Sequence, residues 1–585
     1  MNPRITSSLV LSLGTALALT SAFAQVPVDT PIPADAEIRK ILADRVGAEN
    51  RGIALVVGVI DANGRRVVAY GSLAKDDQRP LNGDTIFEIG SMTKVFTSLV
   101  LMDMVQKGEV AVTDPVAKYL PASVHVPERN GTKITLQDLA TQSSGLPRMP
   151  SNFKPKDVSN PYADYSPELL YAFLSGYQLA RDIGAQFEYS NLGVGLLGHV
   201  LTLRAGMDYE TMVQARVLGP LGMTSTGISL SPEMKTRLAV GHGANLEPVS
   251  NWDLGVLAGA GALRSSANDM LTFLAANLGY SNTPLAAAMA AQVSIRRPAG
   301  SAGMEIAYNW LVQTKNGKSI FWHNGGTGGY RTYMGFDPKT RAGVVVLTNL
   351  SSPAGPDDIG RHLLDATYPL AKVGAPKEHQ EVAVDTKIFD QYVGTYQLAP
   401  AAIMTMSREG DQLYTQLTGQ QKFPVFPEGE GKFFLKVVDA QLSFDADVHG
   451  KVTQVTLHQG GRDQVAKRID EAQATALQAA VAKRFKDQMP APGSAAALRR
   501  DIEELRQGQP NYELMSTGLA EVTRRQLTGL KEMITQLGVV DSVTFKGVGP
   551  AGADIFEVKF EHGSTEWRIT MESEEKIASV SLRRL

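Results

Sequence analysis

Phe87-Glu-Ile-Gly-Ser-Met-Thr-Lys94 is the stretch on which the reading of this chain turns. A strand over Thr85 to Ile89 runs into Gly90, and a long apolar helix follows from about Ser91 to Lys107. Positions three apart are neighbours on a helix, so the Ser91 hydroxyl and the Lys94 amine come side by side. Ser91 would also stand at the helix N-terminus, where unpaired backbone N–H groups can stabilise an oxyanion. The same placement suits a plain helix cap, for which serine is a favoured residue. Context has to separate the two.

Ser-x-x-Lys occurs twice more, at Ser72-Leu-Ala-Lys75 and Ser151-Asn-Phe-Lys154. Ser72 leads into the loop Asp76-Asp-Gln-Arg-Pro80, and Ser151 lies between Pro150 and Pro155, which disfavour a helix. Only Ser91 has the strand, glycine and helix around it. Tyr-Ser-Asn occurs at Tyr189-Ser-Asn191, ahead of an apolar helix, and at Tyr280-Ser-Asn282, after a surface helix. A tyrosine phenol passes protons if a nearby cation lowers its pKa, and an asparagine two residues on can hold a substrate amide. His-x-Gly occurs at His323-Asn-Gly325 and His458-Gln-Gly460. The first ends a strand and opens the run Gly325-Gly-Thr-Gly-Gly329, where so many glycines let a backbone approach a ligand closely. The second lies away from the other motifs.

Working outward, a short helix at Ala36 to Val46 precedes a hairpin, Gly52 to Ile60 and Arg66 to Tyr70, with Asn63-Gly64 in its turn. Helices dominate from Thr135 to Asn277. Strands return at Ser319 to Trp322, Arg331 to Phe336 and Gly343 to Thr348, and a helix near Asp357 to Thr367 closes the region. Strands at both ends of a helical middle predict one sheet built from distant segments plus a helical lobe. After a linker at Ala371 to Pro376, Val382 to Asp470 changes to short alternating strands with glycine-rich turns. Glu471 to Asp487 is helical, Pro490 to Gly493 is a second boundary, and the last segment has helices to about Leu537 and then a four-strand meander. The expected domains are residues 25–372, 381–470 and 491–585, behind a segment 1–24.

That first segment reads as a secretory signal: Arg4, an apolar run from Ile5 to Thr20, and Ala22-Phe23-Ala24 as a cleavage pattern before Gln25. The protein is therefore expected in the periplasm or secreted, with no stable membrane anchor after cleavage. Hydrophobic residues make up 43% and charged residues 20% of the 585, an ordinary globular mix, and the net charge of -3 gives no footprint for nucleic acid. The absence of cysteine excludes disulfides, thiol nucleophiles and zinc thiolate sites. The nine histidines form no metal spacing, and no cofactor is expected. Gly193-Val-Gly-Leu-Leu-Gly198 matches a dinucleotide fingerprint without its βαβ setting or acidic partner, and reads as helix packing. There is no G-x-S-x-G elbow.

Ser91-Met-Thr-Lys94, Tyr189-Ser-Asn191 and His323-Asn-Gly325, in this order, together resemble the three motifs of the serine β-lactamase and penicillin-binding superfamily, in its class C branch, which also holds D,D-peptidases, D-aminopeptidases and esterases. Leu136-Gln-Asp-Leu-Ala-Thr-Gln-Ser-Ser-Gly-Leu-Pro147, Pro220-Leu-Gly-Met223 and Ser265-Ser-Ala-Asn-Asp-Met270 resemble it too, and the likeness runs from about Asp35 to Tyr368. It implies an α/β (α+β) fold, an antiparallel sheet with a helical lobe, followed here by a small β-barrel-like domain and a terminal α+β domain. It implies that Ser91 attacks a carbonyl, that Lys94 and Tyr189 share the general-base work, and that the N–H groups of Ser91 and Gly326 form an oxyanion hole. Asn191, His323, Asn324, Gly325 and Gly326 are the implied substrate-binding residues. His323 stands where many β-lactamases carry a lysine that helps anchor a substrate carboxylate, and a histidine is only partly charged near neutral pH. The substrates implied are small molecules or peptides: β-lactams, D-amino-acid peptides of the cell wall, or esters. A binding protein acylated by penicillin without turnover is a further alternative.

Overall fold

The computed structural model describes residues 32–584 except 50–52, 75, 245, 301–302, 316, 353–354, 372–378, 401, 419–421, 437, 439, 460–461 and 550–551, so the segment read as a secretory signal and most of the stretch read as the first linker lie outside it. An eight-stranded antiparallel sheet runs in the order Gly64–Tyr70, Leu55–Asp61, Ala342–Thr348, Arg331–Asp337, Lys318–Gly326, Leu311–Lys315, Met304–Ile306, Arg297–Pro298. It joins segments almost 300 residues apart, with Leu55 paired to Thr348 and Ile60 to Gly343.

The strands Leu55–Asp61 and Ala342–Thr348 are buried along their whole length, and their residues divide between two cores by the period-two alternation of a strand. Val56, Ile60, Val345 and Leu347 face the helical lobe, against Phe96, Met270 and Leu274. Leu55, Val57, Val59, Val344 and Val346 face the other way, against Ile38 and Leu42 of the helix Asp35–Glu49 and Ile359 and Leu363 of the helix Asp357–Leu364. The sheet is thus covered on both faces, which explains continuous apolar runs where a one-sided sheet would alternate.

The expected sheet of distant segments is present, with two local corrections. The nucleophile segment opens as a 3₁₀ turn, Gly90–Met92, and the α-helix begins only at Thr93, ending at Gln106. The strand expected to end at Trp322 continues through the His-x-Gly motif to Gly326, because Arg331 onward pairs with it residue by residue. The G-x-G-x-x-G match lies on the helix Asn191–Ala205 and packs, as read: a Cβ on Gly198 would stand 2.9 Å from Gly259 Cα.

Beyond the linker, eight strands from Gly394 to Ile469 close into a barrel around Tyr396, Met406, Phe433 and Val455. The last part packs the helices Ser494–Gln507 and Thr517–Leu537 on a four-stranded meander, through Leu498, Ile502, Phe556 and Trp567. Among the described residues no helix is long and apolar enough to cross a membrane.

Candidate active site

The short strand Ile86–Glu88, paired with Arg264–Ser266, carries the chain to the candidate nucleophile. It is pinned by Glu88, whose buried carboxylate accepts from Arg264 at 3.2 Å and from the Trp252 amide at 3.0 Å. Ile89 then docks its carbonyl on the end of the long strand: Thr332 Oγ1 donates to it at 3.0 Å, and only a glycine at 325 leaves room, since a Cβ there would lie 1.9 Å from that oxygen. Gly90 turns the chain at φ +51, with a missing Cβ that would meet Gly326 N at 2.7 Å. Two glycines therefore bring the start of the Ser91 turn against the exposed backbone of Gly326.

Lys94, one turn on, is fully buried. Its Nζ lies 2.9 Å from Ser91 Oγ, 2.9 Å from Asn191 Oδ1 and 2.6 Å from the Ala260 carbonyl. Burial drives its pKa well below the usual lysine value, and the Arg148 guanidinium pushes the same way. A neutral amine has two hydrogens and one lone pair. Asn191 Oδ1 and the Ala260 oxygen can only accept, so they take the hydrogens, and the lone pair is left toward the Ser91 hydroxyl. That is the arrangement of a general base.

Tyr189 completes the group. Its hydroxyl shares a hydrogen bond with Ser91, and Lys94 Nζ and Arg148 Cζ lie 4.9 and 5.1 Å from its ring centre. The expectation that a neighbouring cation lowers its pKa is corrected here. Burial outweighs the Ser91 hydrogen bond and Arg148, and the phenol is pushed up to about 12. It is a neutral hydroxyl, suited to relaying a proton rather than to removing one as phenolate.

Ser190 caps the helix that presents Asn191: its Oγ accepts from Gly193 N at 2.8 Å and donates to the Pro147 carbonyl at 2.6 Å. The Ser190 amide donates to Gln142 Oε1 at 2.7 Å, Gln142 Nε2 to Asn309 Oδ1 at 3.0 Å, and Asn309 Nδ2 to Ser98 Oγ at 2.8 Å. All four residues are buried. This chain of amides fixes the second motif to the middle of the nucleophile helix. Sequence reasoning missed it. Gln142 does stand inside the conspicuous stretch Leu136 to Pro147, whereas Ala260 acts through its carbonyl and leaves no side-chain signal.

His323 lies beside this group, its ring 6.2 Å from that of Tyr189. Burial first, and the repulsion that a protonated Lys94 would exert second, lower its pKa to about 3. Its Nδ1 is 2.6 Å from the Asn324 carbonyl, which can only accept, so Nδ1 carries the hydrogen of a neutral ring. The partial charge expected of His323 at neutral pH is therefore absent. Asn324, expected at the substrate, points its amide away and donates to Asp357 Oδ2 at 2.6 Å, because successive side chains of a strand leave on opposite faces. Gly325 and Gly326 contribute backbone.

The decoys stay apart. Ser72 and Ser151 lie in irregular turns, and Lys75 falls outside the described residues. Tyr280 donates to the Arg341 carbonyl at 2.9 Å. On the barrel, His458 lies 2.7 Å from Ser443 Oγ and 2.6 Å from Asp463 Oδ1, a Ser-His-Asp contact in outline. These residues belong to the barrel strands Ala440–Ala446, Val452–Gln459 and Arg462–Ile469, not to the group around Ser91. Among the described residues no cluster of three or more His, Cys, Asp or Glu could hold a metal ion.

Comparison with known proteins agrees with the fold. The family model "Beta-lactamase" matches residues 38–368, and a model described as a domain of unknown function (DUF3471) matches residues 378–473. The D-alanyl-D-alanine-carboxypeptidase/endopeptidase AmpH of Escherichia coli (strain K12) is 30% identical over 352 residues, spanning 57% of this chain and 89% of the relative. Penicillin-binding protein 4* of Bacillus subtilis (strain 168) is 26% identical over 399 residues, 64% of this chain and 86% of the relative. The crystal structure of a class C beta-lactamase from Rhodobacter sphaeroides shares 25% identity, covers 54% of this chain and 94% of its own, and superimposes with a TM-score of 0.47. On the family match over more than half its length, the chain belongs to the beta-lactamase family of serine hydrolases.

Proposed function

We propose that this protein is an exported hydrolase that opens amide bonds of β-lactams or of D-amino-acid peptides through an acyl-enzyme on Ser91. The observation that carries the reading is the buried Lys94 amine, 2.9 Å from Ser91 Oγ with its hydrogens directed to two other acceptors. Ser91 Oγ bonds to the substrate carbonyl carbon as its proton passes to Lys94 Nζ. The N–H groups of Ser91 and Gly326 hold the oxygen that becomes negative. The carbon–nitrogen bond then breaks, and the Tyr189 hydroxyl relays the proton from Lys94 to the departing nitrogen. Water adds to the acyl carbon, returns a proton through the same pair, and releases Ser91 with a carboxylic acid. Asn191 orients the substrate amide while holding Lys94.

Catalysis belongs on this reading to residues 25–372, with 381–470 and 491–585 as appended domains that carry no reacting group. The likeness to AmpH, a D-alanyl-D-alanine-carboxypeptidase/endopeptidase, supports D-alanyl peptides as the substrate class, and the signal pattern at residues 1–24 supports export. One observation favours a second reading, a carboxylesterase on the same residues: neutral His323 places no charge in the third motif, and a simple ester requires none.

The test is hydrolysis of a chromogenic cephalosporin by the purified chain beside Ser91→Ala. Sustained turnover that the variant loses is the expected result. A single stoichiometric burst points to a penicillin-acylated binding protein, and a reaction confined to esters points to the second reading. Turnover retained in Ser91→Ala contradicts the mechanism.

A further inference from the structure

β-Lactams and peptides with a free C-terminus both carry a carboxylate near the bond to be broken, and such a group is recognised by a cation with unoccupied donors. His323 supplies none, being neutral and buried with its Nδ1 hydrogen spent on the Asn324 carbonyl. Arg331, beside Gly326, donates to the carbonyls of Thr327 and Tyr330 at 2.7 and 2.9 Å. Arg181 is paired with Glu188, and Arg297 donates to Ser143 at 2.9 Å and faces Asp138 at 3.5 Å.

Arg148 differs from all of these. The residue is exposed and, among the described residues, its guanidinium has no ion pair and no hydrogen bond. Its Cζ lies 5.1 Å from the Tyr189 ring, and its charge reaches Lys94 and Tyr189 strongly enough to shift both. Its backbone is built into the site: the Arg148 carbonyl accepts from the amides of Asn191 and Leu192 at 3.0 and 3.2 Å. On the preceding residue, the Pro147 carbonyl accepts from Ser190 at 2.6 Å. The neighbouring Met149 sulfur meets Asn191 Nδ2 at 3.8 Å and the Tyr162 hydroxyl at 3.7 Å. The loop is held, and the fork of N–H donors at its tip is left free.

We infer that Arg148 is the carboxylate anchor of this enzyme and restores, from the loop facing Tyr189, the charge that His323 does not provide in the third motif. This rests on the proposed hydrolysis of carboxylate-bearing amides and adds to it a specificity determinant: substrates with a free carboxylate over their amidated or esterified counterparts. The position serves catalysis as well. A cation there disfavours a proton on Lys94, and a bound carboxylate screens that cation, so substrate binding and the basicity of Lys94 are coupled through one residue.

The experiment measures binding in the full chain carrying Ser91→Ala, so that it does not depend on turnover. The probes are N-acetyl-D-alanyl-D-alanine and its C-terminal amide, by calorimetry. The free acid is expected to bind about 10- to 100-fold more tightly than the amide, the range of a charge-assisted pair. Adding Arg148→Gln brings the ratio close to one, and Arg148→Lys restores part of it. A purely electrostatic effect of Arg148 on Lys94 would leave the ratio in place. Binding of neither peptide, equal binding of both, or a ratio that survives Arg148→Gln overturns the inference. Hydrolysis by the unaltered chain is read in parallel: no turnover of any carboxylate-bearing amide, with the binding ratio intact, contradicts the proposed function and leaves the anchor standing.

Discussion

In the proposed mechanism Lys94 and Tyr189 divide the proton work because burial acts on them with opposite signs. It disfavours the ammonium and lowers the lysine, and it disfavours the phenolate and raises the tyrosine to about 12. On this proposal the base is the lysine. Lys94→Arg, which cannot give up its proton, is expected to lose roughly 10²–10⁴-fold in kcat/KM, the usual span for a general base. Activity should be full above the lowered lysine pKa and fall as pH drops through it. His323, at about 3, adds no titration between pH 4 and 8. A pH–rate profile of the unaltered enzyme beside His323→Gln checks both points: an acid limb that moves with the histidine variant would contradict this assignment. At this scale the sequence was most legible where chemistry needs a side chain in a fixed spacing. Ser91, Lys94, Tyr189 and Asn191 were found that way and do converge. Asn324 was not placed correctly, because strand alternation sends it to the other face, and the shift on Tyr189 was misjudged, because no spacing reports burial.

The elements that deliver these residues meet through backbone contact, with Gly90 and Gly325 at the crossing. Gly90→Ala would put an L side chain at φ +51 with its Cβ 2.7 Å from Gly326 N. Such strain costs about 1–3 kcal/mol, and relief by shifting the turn displaces both proposed oxyanion donors. The variant should show a lowered midpoint in thermal unfolding together with a fall in kcat out of proportion to it. A loss of stability with kcat intact would mean that the turn does not position the donors. The strand before Gly90 and the apolar helix after Ser91 were both readable from pattern. The 3₁₀ opening of that helix and the extension of the long strand to Gly326 were not, since both depend on partners far along the chain: Ile89 on Gly325, and Gly326 on Arg331.

Over the whole molecule, alternation and apolar runs made the sheet of distant segments legible, and the change of pattern at Val382 marked the barrel. Burial of single polar groups was invisible. Asp501, in the core under the last helices, has both oxygens without a partner among the described residues. Burial first, and Glu504 second, raise its pKa to about 7. In the unfolded chain an aspartate releases its proton near pH 4, so between about 4 and 7 the folded state holds a proton that the unfolded state has lost. Stability conferred by the protonated form therefore declines as pH rises through that window, by roughly 4 kcal/mol in all. Thermal unfolding of the full chain from pH 4 to 8 should show this decline, and Asp501→Asn should flatten it; an unchanged slope in the variant would place the titration elsewhere. The central claim, one nucleophile activated by one buried lysine, has its most direct test in labelling the full chain with a fluorophosphonate, which caps an activated serine irreversibly, and mapping the adduct by peptide mass spectrometry. The account predicts a single adduct at Ser91, absent from Ser91→Ala and strongly slowed in Lys94→Arg, with Ser72, Ser151 and Ser443 unlabelled. An adduct at any of those three, or labelling at Ser91 that is indifferent to Lys94, would contradict it.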